Sequence, residues 1–148
     1  MTFKELIDMT RFYTRDSNGF MFSDTNIKLF INQGIDRIKQ FKLFSGLSHL
    51  DSLDDIPQIL PQEYHYMLAL FSASRLFDND ERFYEATQKR NEFEQLFEEM
   101  ISEINAGNII IKDANGDNLD TLDDGETHVE YVKDEYYSGT STTGGDEL

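Results

Sequence analysis

A chain of 148 residues has room for one domain with a modest core. Its 39% hydrophobic and 13% aromatic content excludes disorder throughout, and the absence of cysteine excludes disulfides and thiolate metal sites. A formal net charge of −16 disfavours nucleic-acid binding and suits basic partners or solubility alone. No apolar run approaches the roughly 20 residues that cross a bilayer. Met1-Thr2-Phe3-Lys4 enters an amphipathic pattern with no signal-peptide architecture. The expectation is a chain made in a cytoplasm, with no membrane partner.

The first predicted helix starts at Thr2, with Glu5 three residues on completing a capping box. Phe3, Leu6, Ile7 and Thr10 share a face, and the helix should fade by Tyr13 because Asp16-Ser17-Asn18-Gly19 is turn chemistry. Phe20-Met21-Phe22 reads as a short apolar plug before a second cap at Ser23-Asp24. In the second helix Ile27, Phe30, Ile31, Gly34, Ile35, Ile38 and Phe41 or Lys42 recur at steps of three and four. Gly34 on the apolar face predicts a closely crossing helix, since glycine costs a helix about 1 kcal/mol relative to alanine.

Ser45-Gly46 ends that element, and residues 47–60 read as an irregular connection. Pro61 suits the first turn of a third helix. Its broad stripe of Tyr64, Met67, Leu68, Phe71 and Arg75, widened by Ala69, Leu70 and Ala73, predicts a central position. After Asp78-Asn79-Asp80 a long fourth helix is expected from about Glu81 to Ile104, with Phe83, Ala86, Arg90, Phe93, Phe97, Met100 and Ile104 inward. Glu85 and Lys89 should pair on its surface. Glu98, Glu99 and Glu103 crowd its C-terminal turns, where the macrodipole favours cations. They are candidates for a contact outside the chain, the simpler reading being that packing within the chain tolerates them.

At Asn105-Ala106-Gly107 the character changes. The expected organisation is a helical body over residues 1–105 and an extended acidic arm over residues 106–148. The fold class is all-α: a small four-helix bundle with a long final helix, the arm adding short β segments at most. Asn108-Ile109-Ile110-Ile111-Lys112 is β-prone, and Thr127 to Lys133 alternates in polarity. These could pair as a wide hairpin or add to a neighbour's sheet. Tyrosine is enriched in interface cores and a solvated tail spends few aromatics. Ile109, Ile110, Ile111, Val129, Tyr131, Val132, Tyr136 and Tyr137 are therefore the candidate partner-binding residues.

Catalytic signatures are missing. Asp113, Asn115, Asp117 and Asp124 match calcium-loop positions 1, 3, 5 and 12, but Asn118 stands where an EF-hand needs glycine, and position 12 lacks the bidentate glutamate. An acidic turn is the simpler reading. His49, His65 and His128 sit in different elements, His65 reading as a core-edge or interface residue. No Gly-x-Ser-x-Gly elbow or phosphate loop occurs. The expectation is no enzyme, no cofactor and no metal.

The run Phe22-Ser23-Asp24-Thr25-Asn26-Ile27-Lys28-Leu29-Phe30-Ile31-Asn32-Gln33-Gly34 follows a short first helix. Leu60-Pro61-Gln62-Glu63-Tyr64-His65 then leads into a small-residue helix and a long final one. This combination resembles the head–tail adaptor (connector) proteins of tailed bacteriophages, over about residues 1–105. The resemblance implies a bundle that assembles as a ring, typically of twelve copies, beneath the portal protein at the head–tail interface of the virion. It also implies docking of the next tail or stopper protein, and a channel through which double-stranded DNA passes without specific binding. In such proteins the C-terminal segment reaches onto the portal, the role expected for residues 108–148. The alternative is an acidic DNA mimic that inhibits a nucleic-acid-binding protein, although its densest acids lie in a glycine-punctuated arm.

Overall fold

Thr2 accepts the Glu5 N–H at 3.2 Å while the Glu5 carboxylate accepts the Thr2 N–H at 2.7 Å, so the capping box forms and starts α1 (Phe3–Thr14). Ser23 caps α2 (Asp24–Lys39) through the Asn26 N–H. A 3-10 turn at Lys42–Phe44 and an irregular stretch lead to α3 (Met67–Asn79), and a tight turn leads to α4 (Phe83–Asn105). The structure is a computed structural model that describes residues 1–112. It is an all-α fold of four helices, with no sheet among the described residues. Of residues 108–112, expected to be β-prone, 108–111 carry no regular secondary structure and Lys112 forms an isolated β-bridge.

The breadth of its apolar surface makes α3 the centre. Met67, Leu68, Ala69, Leu70, Phe71, Ala73, Leu76 and Phe77 are all buried, and α3 packs against each of the other three helices. The close crossing expected at Gly34 is present: a Cβ there would lie 3.2 Å from Leu68 Cδ2 and from Phe71 Cγ and Cδ1. Phe71 packs on Phe93 with centroids 5.1 Å apart, and Phe93, Phe97 and Phe41 continue the aromatic seam between α2 and α4.

Three expectations are corrected. Pro61 (φ −57°, ψ 137°) lies outside α3, ahead of a 3-10 turn at Gln62–Tyr64. That tighter winding lets the Tyr64 hydroxyl donate to Glu99 at 3.0 Å and His65 Nε2 donate to Leu60 O at 2.8 Å. Phe83 is exposed, because α4 starts there at the bundle's edge. Glu85 pairs with Arg82 (3.1 Å) and Lys89 with Glu92 (3.5 Å), not with each other, and Lys89 also stacks over the Tyr13 ring. Two of the three misplaced glutamates find partners inside the chain: Glu99 accepts from Tyr64, and Glu103 accepts from Asn108 Nδ2 at 2.8 Å.

The Asn105-Ala106-Gly107 break is a helix terminator of the Schellman type. Asn108 N–H donates to Glu103 O and Gly107 N–H to Ile104 O, both at 3.0 Å, with Gly107 at φ +82°. Packing continues past it: Ile109 is half-buried against the core and Ile111 is only 1% exposed.

Candidate interaction surface

At the end of α1 the chain turns around one carboxylate. Asp16 accepts the Phe20 and Met21 N–H groups on Oδ1 (2.9 and 3.0 Å) and the Phe22 N–H on Oδ2 (3.0 Å). Arg11 Nη1 donates to the same Oδ2 at 2.9 Å and to Phe22 O at 3.0 Å, and Arg11 Nη2 reaches Asp24 at the start of α2. Burial opposes the Asp16 charge, but the three backbone donors and the guanidinium outweigh it and hold the carboxyl below its ordinary value. A carboxylate satisfied by this many donors specifies a single loop conformation. The loop sends Phe20 outward, 88% exposed, with Met21 beside it exposed as well. The expected apolar plug is thus a display, and only Phe22 packs against the core.

Other elements converge on the same end of the bundle. Ser72 Oγ donates to Ile27 O at 3.3 Å and Arg75 stacks over Phe30, so the start of α2 lies beside the second half of α3. Arg90 stands 3.9 Å from Asp78, and Lys89 lies over Tyr13 at 4.9 Å, bringing in the start of α4 and the end of α1. Phe12, Phe83 and Tyr84 are exposed at this end with Phe20 and Met21. Its two helix-ending turns place non-glycine residues in the left-handed region, Arg15 at φ 59° and Glu81 at φ 60°. Each closes a Schellman motif: Asp16 N–H to Arg11 O (2.9 Å) and Arg82 N–H to Phe77 O (2.8 Å). Such conformations cost an L-residue about 1–2 kcal/mol, and strain of this kind gathers at functional surfaces.

The arrangement offers contact chemistry. Among the described residues no group of three His, Asp or Glu is placed to hold a metal. No helix among them is long and apolar enough to cross a membrane. His65 is buried, its Nδ1 2.7 Å from the Met1 ammonium, and burial lowers its pKa. His49 is exposed beside Asp36 at 2.7 Å. Of the sequence-derived partner residues, Ile111 and Ile109 face the chain's own core and Ile110 is 52% exposed. Val129, Tyr131, Val132, Tyr136 and Tyr137, and the acidic loop at residues 113–124, lie outside the described residues.

Sequence reading missed the display loop. Its signal was Asp16, five residues after Arg11 and at the head of a Ser-Asn-Gly turn, a side chain able to cap several backbone donors. No protein-family model, curated protein or solved structure matches the chain.

Proposed function

We propose that this chain is a structural assembly protein of the head–tail adaptor kind. In this reading it forms a ring under a portal protein, carries the DNA channel onward, and receives the next tail or stopper component. The observation that carries the reading is the Asp16–Arg11 hub, which spends a buried carboxylate on holding Phe20 and Met21 in solvent. A monomer gains nothing in stability from a rigidly displayed phenylalanine, whereas a docking surface gains from an ordered aromatic anchor.

Charge supports the same reading. Residues 1–112 carry 12 Lys and Arg against 18 Asp and Glu, and residues 113–148 one against 11, so a channel lined by this chain would repel phosphates and let a duplex slide. The test is solution mass by light scattering, alone and mixed with portal protein, followed by electron cryo-microscopy of the mixture. The expected result is a closed ring or a portal-bound ring with an acidic lumen. A monomer that leaves portal untouched and competes with DNA for a basic protein would replace this reading with DNA mimicry.

A further inference from the structure

Phe20 and Met21 stand side by side on the Asp16 loop, Phe83 and Tyr84 open the first turn of α4, and Phe12 lies in the last turn of α1. Contacts tie these elements together. Arg11 joins α1 to the loop and to α2, and the Phe12 ring meets the Tyr13 ring at 5.9 Å, over which Lys89 of α4 stacks. Single exposed apolar residues need no explanation, but five large ones at one end of a small body do. The five are 53–88% exposed, and at about 200 Å² for a large side chain they present roughly 700 Å² between them. A standard-size interface takes about 800 Å² from each partner. This end alone supplies most of one side of such a contact.

Charge narrows the occupant. Residues 11–30 and 75–92, which build this end, carry seven Lys and Arg against seven Asp and Glu; the rest of residues 1–112 carries five against eleven. Two copies of an acidic chain repel where their acidic surfaces face each other, but at physiological salt charges more than about 8 Å apart are largely screened. Local balance therefore decides, and the balanced end is where two copies meet without an excess of like charge. A basic partner is drawn to the acidic remainder instead. The end also carries exposed Arg15 together with exposed Asp80 and Glu81, so it offers both signs to its own image, as a two-fold contact requires. We infer that two copies of the chain pack end to end through this surface, related by a two-fold axis, with Phe20 and Tyr84 inside the contact. The Asp16–Arg11 hub fixes the loop beforehand, so association gives up little conformational freedom. This goes beyond the adaptor reading, whose ring needs copies side by side. Under that reading the end-to-end pair occupies the Phe20 anchor, so pairing and docking exclude one another.

Sedimentation equilibrium of the full-length chain alone, over a concentration series at about 0.15 M salt, should show a monomer–dimer equilibrium with no larger species. Phe20→Ser keeps the backbone N–H that Asp16 accepts, and Tyr84→Ser changes an exposed position on a different element. Each should weaken dimerisation about tenfold or more with the far-ultraviolet circular dichroism unchanged. Ile110→Ser, an exposed change near the opposite end, should leave dimerisation as it is. A chain that stays monomeric at every concentration overturns the inference and leaves the aromatic end to a partner of other sequence. Self-association that survives both Phe20→Ser and Tyr84→Ser, or that Ile110→Ser weakens as much, places the contact elsewhere and overturns it too. A closed ring or open-ended growth through the Phe20 end overturns the two-fold. Portal binding is read in a separate mixture, so failure here and failure of the adaptor reading are told apart.

Discussion

Asp16 concentrates much of the order of its loop in one side chain. Replacing it with Asn keeps the shape but forfeits a charge that accepts three backbone N–H groups and the Arg11 guanidinium. Asp16→Asn should lower unfolding stability by about 2 kcal/mol in a urea titration. The pH dependence has a definite sign. The folded pKa lies below the unfolded one, so the contribution is fully present above about pH 4 and is lost as pH falls through the folded value. The acid limb of the melting profile should be shallower in Asp16→Asn than in the parent. Arg15 and Glu81 work the other way. Glycine occupies the left-handed region without a Cβ penalty, so Arg15→Gly and Glu81→Gly should each raise stability by about 1 kcal/mol. A gain in stability together with weaker partner binding would tie the strain to function.

Between elements, Gly34 and the Arg37–Glu94 pair decide how α2 sits. Gly34→Ala would gain about 1 kcal/mol of helix propensity. Its new Cβ, however, meets Leu68 Cδ2 and the Phe71 ring at 3.2 Å, and the Phe71 ring is packed against Phe93, which restricts its retreat. Overpacking should win, with a net loss of about 1 kcal/mol by chemical denaturation. Arg37 Nη2 meets Glu94 Oε1 at 3.0 Å with both side chains buried, and the guanidinium lies 5.0 Å from the Phe97 centroid and 5.8 Å from that of Phe41. Removing one charge leaves the other buried, so Glu94→Gln should cost about 3 kcal/mol. The double change Arg37→Met with Glu94→Leu should recover most of it, because apolar packing avoids the desolvation of both ions. The closeness of the α2–α3 crossing was legible in the sequence, since only a glycine relieves a close crossing on an apolar face. The α2–α4 ion pair was not. Helical periodicity put Arg90 inward and passed over Glu94, which its partner on another helix holds at 3% exposure.

For the whole molecule, the buried side chains among the described residues run from Phe3 to Ile111 and form a continuous core. Deleting residues 127–148 should therefore leave the far-ultraviolet circular dichroism nearly unchanged. Under the proposed adaptor reading, loss of portal attachment in that variant would place the docking element in the arm, and retained attachment would move it to the Phe20 end.

The Thr2–Glu5 capping box, the Ser23 cap, the Gly34 crossing and the Gly107 stop were determined by the sequence itself. Each depends on residues within one turn of each other or on the size of one side chain, so local sequence carries the whole cause. The direction of Phe20, the burial of Glu94 and the internal pairing of Glu99 with Tyr64 were decided only by the tertiary structure. Each rests on a donor, a countercharge or a packing surface supplied from another part of the chain, and helical or turn pattern alone does not show which distant group will arrive.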